Sequence, residues 1–454
     1  MGAKEPSPIA FYSTARGKSG PVKPLVKKRQ HLKVWWIQAR SFVISTFFLI
    51  FIVIWALSSR FLSWSFEKTV SFLSPFAWWD WILGKGKKEV PEWERIAKKK
   101  YANEKCTNSV RYYAQNCGYD IEEQTITTED GYHLRIHRVI VPGRESVDAR
   151  GDGKGGWPVL IQHGLFQSSG SFITSEERSL AFWLASKGGY QVYLSNSRGV
   201  FGMGHESIRR EDPRFWDYNI KELAIYDLPA VVEHVKKETG YEKVAFIGHS
   251  QGNATMFCSL ATGMVPSLGS SLSVFVALAP AVYAGPLTSG FPFGALKSMK
   301  WTTWRRVFGV LDFIPLMRIA YDYTPSKPFG LLGYQMFAFL FNWTDKNWLE
   351  RRKAKKFRFT PTPVSSAGIF WWTGFEGFST RGCVLDPAVD KWWDENFPPL
   401  SIYYGGMDYL VRTEPLLERL KNTELDVDLI RVDRMDDGEH CDFFWSVIST
   451  SFDP

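Results

Sequence analysis

The pentapeptide Gly248-His249-Ser250-Gln251-Gly252 sets a serine between two glycines, directly after a short apolar run (Val244 to Ile247) and before a stretch that reads as helix. In that setting a G-x-S-x-G sequence makes a strained strand-to-helix turn: small flanking residues permit the tight bend, and the bend lifts the hydroxyl above the strand. A serine hydroxyl is a weak nucleophile at neutral pH and needs a base, which in such an elbow follows in the order serine, acid, histidine. Counting selects the base, because His440 is the one histidine that lies after Ser250. The acid must orient the imidazole and stabilise its protonated form. Asp408 fits best, since it follows an apolar strand (Leu400 to Tyr404) and the Gly405-Gly406 turn, at a strand's C-terminal end. Asp436 and Asp437 are closer to His440 in sequence, but Asp-Asp-Gly reads as a turn.

Attack on a carbonyl creates an oxyanion, which backbone N–H groups must meet. Gln251, next to the serine at the start of a helix, supplies one donor. The segment His163-Gly164-Leu165, closing an earlier apolar strand (Trp157 to Gln162), supplies the other through the Leu165 N–H. His163 then has a structural place on that loop, and His249 shapes the turn. Five cysteines without a short repeated spacing indicate neither a zinc knuckle nor a disulfide framework, and no metal or organic cofactor is implied.

These residues need a scaffold that brings strand ends to one rim. Strand patterns at 124–128 and 132–141 flank the turn Glu129-Asp130-Gly131, a hairpin signal. Strands at 157–162, 191–194, 244–247, 274–278 and 400–404 alternate with helical stretches near 175–187, at 220–238 and after Gly252. That alternation predicts an α/β fold: a mostly parallel sheet with helices on both faces. Between Pro280 and about Cys383 the alternation fails and the chain becomes rich in Phe, Trp and Tyr, which reads as an insertion.

The 454 residues carry 55 Lys plus Arg against 47 Asp plus Glu, a net charge of +8. Nine basic residues and one acid fall within residues 1–40, so the remainder balances at 46 against 46. A neutral body excludes a nucleic-acid groove across it. After the basic tail, Ser41 to Ser59 has no charge, and its 19 residues would span about 28 Å as a helix, close to a bilayer's hydrocarbon thickness. This reads as a membrane anchor. A second apolar stretch from Thr69 to Gly84 leaves two topologies open: a single span with a cytoplasmic tail, or a re-entrant pair that returns the chain to the same side. Residues 85–105 are Lys/Glu-rich and read as a solvated linker or short helix, within a linker that runs over 85–115.

The segments Asn196-Ser197-Arg198-Gly199, Phe215-Trp216-Asp217, Tyr226-Asp227-Leu228-Pro229-Ala230, the elbow, Tyr404-Gly405-Gly406-x-Asp408 and His440-x-Asp442-Phe443 together resemble the acid-lipase family of α/β-hydrolases, which includes gastric and lysosomal acid lipases and fungal steryl ester hydrolases. The stretch from Gly118-Tyr119 to Tyr132 is similar to that family's entry segment. The resemblance runs from about Asn116 to Phe444 and weakens over 285–380. It implies a core at 116–281 and 383–454 in the α/β-hydrolase fold with a cap or lid at 282–382, preceded by the tail at 1–40 and the anchor at 41–84 that the charge and apolar pattern give. It further implies a neutral-lipid esterase with Ser250, Asp408 and His440 as nucleophile, acid and base, and Leu165 and Gln251 at the oxyanion hole. The anchor, and N-x-S/T sequons at Asn253 and Asn342 alone, make the chain most similar to membrane-bound fungal steryl ester hydrolases. The substrate would then come from a membrane or lipid-droplet surface, with the protein at the endoplasmic reticulum or on lipid droplets. A triacylglycerol lipase, an acyltransferase or a non-catalytic lipid-binding homologue are the alternatives.

Overall fold

The computed structural model describes residues 28–73, 91–143 and 155–446. Eight strands form one sheet: β1 Asp120–Thr127, β2 His133–Ile140, β3 Pro158–Gln162, β4 Gln191–Ser195, β5 Val244–His249, β6 Leu272–Leu278, β7 Leu400–Gly405 and β8 Leu429–Met435, in the order β1-β2-β4-β3-β5-β6-β7-β8. The β1/β2 hairpin and the β2/β4 pair are antiparallel, and every other pair is parallel. β3 is buried along its whole length, as a strand covered by helices on both faces must be. The sheet is the mostly parallel one that the alternation predicts. Two expected helices are less regular: 175–187 is a short 3₁₀ turn, Glu176–Arg178, followed by helix Leu180–Ser186, and 220–238 contains a π-helical segment at Leu223–Asp227.

Three of the motif segments quoted above bind one another here. Arg198, fully buried, donates to Asp130 at 2.7 and 3.0 Å and to Asp227 at 2.6 and 2.9 Å. Its guanidinium stacks 3.9 Å from the centre of the Tyr132 ring, and the Tyr218 hydroxyl donates to its carbonyl. One buried cation flanked by two carboxylates thus joins the hairpin turn, the loop after β4 and the helix beside β5.

The region expected as an irregular insertion is mainly helical, with helices Trp301–Val307, Pro315–Tyr323, Ser326–Leu340, Glu350–Lys356 and Ser366–Thr373. Aromatic side chains on several faces of these helices hide the amphipathic period, because they pack against the core, against one another and around a cavity. The segment expected as a solvated linker or short helix carries the short helix Glu92–Lys100, but from residue 91 onward it is docked rather than free in solvent. Glu94 on helix Glu92–Lys100 pairs with Arg351, and Val110 and Tyr113 on helix Val110–Asn116 are buried beside β1. Lys/Glu-rich composition misleads here because its charges meet partners on the cap. Residues 1–27 of the tail and 74–84 of the second apolar stretch lie outside the described residues. The first apolar stretch lies within one continuous helix, Lys28–Leu73.

Cap and core are clasped through Glu176. This carboxylate is 1% exposed and receives Arg351, Arg352 (2.6 Å) and Lys355 (2.7 Å) from one cap helix. Burial alone would raise its pKa, but these three cations outweigh burial and hold it at about 2. A carboxyl held below its ordinary 4.5 contributes stability that is complete above that pH and is lost as the pH falls toward 2. Glu176→Gln should therefore cost about 3 kcal/mol at pH 7, by leaving buried cations short of a counter-charge. It should also flatten the loss of stability between pH 4.5 and 2; denaturant melts of both proteins across that range provide the measurement.

Candidate active site

Strand β5 ends in His249, helix Gln251–Ser259 begins one residue later, and Ser250 makes the connection with φ 52° and ψ −114°. A left-handed φ at a non-glycine residue is strained and persists only where surrounding structure enforces it. The two glycines make the bend possible: a Cβ on Gly248 would lie 2.2 Å from Asn253 Oδ1, and one on Gly252 would lie 2.7 Å from the Gln162 carbonyl oxygen. Asn253 is itself fixed, its amide donating to the Leu278 carbonyl at 2.7 Å, and its complete burial removes it as a glycosylation acceptor.

His440 sits on the loop after β8, and its Nδ1 donates to Asp408 Oδ2 at 2.6 Å. The other carboxylate oxygen of Asp408 accepts from the N–H groups of Leu410 (2.9 Å) and Val411 (3.2 Å). The carboxylate is thereby aimed from the end of β7, and both partners are buried, at 5% and 4% side-chain exposure. With Nδ1 engaged, Nε2 is the ring nitrogen free for proton transfer. Asp436 and Asp437 instead face solvent, within reach of Arg434 and Lys346.

Ser250, His440, Leu165 and Gln251 line one cavity of about 160 Å³. Gly164 approaches the serine so closely that a Cβ there would lie 3.0 Å from the Ser250 Cβ, and its N–H donates to Gln167 Oε1 at 2.9 Å. The Gln251 N–H is the first of its helix and has no carbonyl one turn earlier to bond, so it is available to an anion. The arrangement can deliver a deprotonated hydroxyl to a carbonyl carbon while backbone donors meet the resulting oxyanion.

His163 is not part of that apparatus. Its Nδ1 donates to the Gly164 carbonyl at 2.7 Å and its Nε2 accepts from the Ser197 N–H at 3.1 Å. Burial lowers its pKa to about 4, although the hydrogen bond to Gly164 opposes the shift. It is a neutral brace between two loops. Two contributions are absent from the sequence reading. The ring of His249 donates through Nε2 to the His440 carbonyl at 2.9 Å and meets Gln167 through Nδ1, also at 2.9 Å. The elbow thus touches both the base loop and the oxyanion loop. Asp442 accepts from the Glu439 N–H (2.9 Å), the Asn347 amide (2.8 Å) and the Trp348 indole (2.6 Å), which fixes the His440 loop to the cap. The motif His440-x-Asp442 carries that signal, but nothing in it says what the aspartate holds.

The remaining walls are apolar and come largely from the cap, among them Phe293, Phe313, Met336, Phe337, Ile369 and Trp372. The Trp372 indole donates to Gln251 Oε1 at 2.7 Å, and Ser250 is only 7% exposed.

A family model described as alpha/beta hydrolase fold matches residues 158–447, and one described as partial alpha/beta-hydrolase lipase region matches residues 110–176. Sterol esterase 2 of Saccharomyces cerevisiae is 29% identical over 383 residues, which cover 75% of this chain and 69% of that protein. Gastric triacylglycerol lipase of Homo sapiens is 28% identical over 355 residues, 73% of this chain and 85% of that one. Lysosomal acid lipase/cholesteryl ester hydrolase of Macaca fascicularis is 34% identical over 200 residues, 44% of this chain and 48% of the relative.

The separate positions of the three carboxylates lead to a discriminating test. Asp408→Asn should lower kcat on a soluble ester by about 10⁴-fold, since the imidazole loses its orienting acceptor. Asp437→Asn should leave kcat within about twofold, as expected for an exposed surface change; initial rates of the purified variants decide between them.

Proposed function

The chain belongs to the α/β-hydrolase fold family, in its acid-lipase branch, and is a carboxylic ester hydrolase; from that premise we propose that it cleaves fatty-acyl esters of sterols at a membrane or lipid-droplet surface. The observation that carries the reaction is the meeting of Ser250 and His440 in one apolar cavity, with Asp408 bonded to the far side of the imidazole. Ser250 Oγ attacks the ester carbonyl as His440 Nε2 takes its proton, and Asp408 stabilises the imidazolium. The N–H groups of Leu165 and Gln251 meet the oxyanion, each such donor contributing about 3–4 kcal/mol to the barrier reduction. Collapse breaks the bond to the alcohol, which leaves with the proton from His440. Water, deprotonated by the same imidazole, then attacks the acyl-serine; the acid departs and the proton returns to Ser250.

The steryl ester reading is supported by the sterol esterase likeness, by the apolar cavity and by the N-terminal helix. Within that helix, Val34–Ser63 is long and apolar enough to cross a bilayer. One face of it, however, is fastened to the cap. Gln38 Oε1 accepts from the Val310 N–H at 2.9 Å, and Arg60 donates to Gln335 Oε1 at 2.8 Å, so the contact extends over 22 residues, about 33 Å. Helix Trp301–Val307 packs on the same face and carries exposed Arg305 and Arg306, which an upright helix would carry toward the hydrocarbon at high cost. This favours a helix lying along the membrane face, its inner side on the cap and its outer side, with Ile44, Phe47 and Ile54, in lipid.

A fluorophosphonate probe should label the wild-type protein and not Ser250→Ala, and kcat/KM should be higher for cholesteryl oleate than for triolein. Labelling that survives in the variant removes the serine mechanism, whereas preference for triolein replaces steryl esters with triacylglycerols. Flotation with phosphatidylcholine vesicles should capture the wild type and fail for the triple variant Ile44→Asp, Phe47→Asp, Ile54→Asp, each aspartate costing about 3 kcal/mol in hydrocarbon.

A further inference from the structure

The inner face of the N-terminal helix reaches the catalytic cavity. Phe48, Leu49 and Ile52 line the same space as Ser250 and His440. Ile52 is 2% exposed, a burial that contact with lipid does not explain. Residues on this face recur with helical spacing: Ser41, Ser45, Ile52 and Ala56 are buried, and small side chains at three of those positions allow close approach to the cap. We infer that this helix is a wall of the acyl-binding chamber, with Phe48, Leu49 and Ile52 as specificity-determining residues for the fatty-acyl chain. The segment that meets the membrane is then also a segment that meets the substrate. The inference rests on the esterase reading of the same site and deepens it.

Position along the helix is fixed on both sides of these residues. Toward the N-terminus, Gly309 has φ +80°, and a Cβ there would lie 2.5 Å from Gln38 Oε1 and 2.8 Å from Ser41 Oγ, so the Gln38 and Ser41 side chains close directly on the Gly309 backbone. Toward the C-terminus, Arg60 bonds the Tyr334 hydroxyl, Gln335 and Asp345 (3.2 Å) and stacks 4.7 Å from the centre of the Tyr334 ring. Phe48 packs edge-on against Phe308 at 5.4 Å between ring centres. A wall held at both ends presents its side chains at set depths, which is what a chain-length gauge requires. The three residues form an apolar ridge about 6 Å long at 1.5 Å per residue, along which a methylene chain can lie in the apolar cavity.

The test uses the full-length protein in detergent micelles and compares kcat/KM for p-nitrophenyl palmitate with that for p-nitrophenyl butyrate. Leu49→Trp and Ile52→Trp should each lower the palmitate-to-butyrate ratio by tenfold or more, while Leu425→Trp, exposed on the core away from the cavity, should leave the ratio unchanged. A variant that reacts with fluorophosphonate and melts as the wild type does, yet keeps the wild-type ratio, overturns the inference and leaves the esterase reading standing. A second measurement needs no variant. A hexadecyl phosphonate that reacts at the serine and carries a diazirine along its chain should, on irradiation of the wild type, crosslink to the peptide containing Phe48 to Ile52. Crosslinks confined to residues of the cap and core would overturn the inference. Failure of the wild type to hydrolyse either ester or to react with the phosphonate would instead remove the esterase reading on which it rests.

Discussion

The whole site depends on one backbone constraint: an L-residue held in left-handed conformation between a buried strand and a helix. Ser250 adopts φ 52° because the sheet fixes the end of β5 while Asn253 and the Gln162 carbonyl crowd the residues on either side. Relaxing that bend would turn the hydroxyl toward the sheet and move the helix N-terminus whose first N–H faces the cavity. Strain of this kind costs on the order of 1–3 kcal/mol and needs a rigid frame to sustain it. The frame is the parallel sheet together with the Arg198 network, which ties the loop after β4 to the hairpin and to the helix beside β5.

The same constraint explains why both ring nitrogens of His249 face protein atoms, Nε2 donating to the His440 carbonyl and Nδ1 lying 2.9 Å from Gln167 Oε1. A residue at the tip of a buried strand has no solvent to satisfy it, and burial keeps its imidazole neutral, well below the ordinary histidine range, with the neighbouring His440 acting in the same direction. Its hydrogen bond to the His440 carbonyl converts that need into position for the base. Asp442 works from the other side of the loop by accepting from the cap. The base loop is thus held by elbow and cap together.

Legibility in the sequence follows the range of the determinants. The elbow is local: apolar strand, glycines, serine and helix lie in one continuous segment, so its conformation can be read from composition and spacing. The sheet is legible for a similar reason, since each buried strand announces itself by a short apolar run. Placing His440 against Asp408 needs only chain order and the scarcity of downstream histidines. Partners from distant segments leave no such trace. Lys355 and Arg351 look like solvated charges in a basic helix, yet they close on Glu176 and Glu94. The aromatic cap helices, Ser326–Leu340 and Ser366–Thr373, hide their period because several of their sides meet apolar surroundings, and Glu94 and Glu104 of the linker pair with Arg351 and Lys355 across the fold.

The N-terminal helix is the most instructive of these cases. Its uncharged run satisfies every criterion of length and composition for crossing a bilayer, and hydropathy alone cannot separate an apolar side that meets lipid from one that meets protein. The distinction lies in small polar side chains at helical spacing. Gln38, Ser41 and Ser45 fall on one side with Ile52 and Ala56, and that side is the one buried on the cap, while Phe47, Ile50 and Ile54 remain exposed. A bare span has no need of a glutamine whose amide oxygen accepts a backbone N–H from another domain. Under the proposed membrane contact the apolar run answers two demands at once, hydrocarbon outside and the wall of an apolar cavity inside, and the absence of a polar face is the expected outcome when both surroundings are oily.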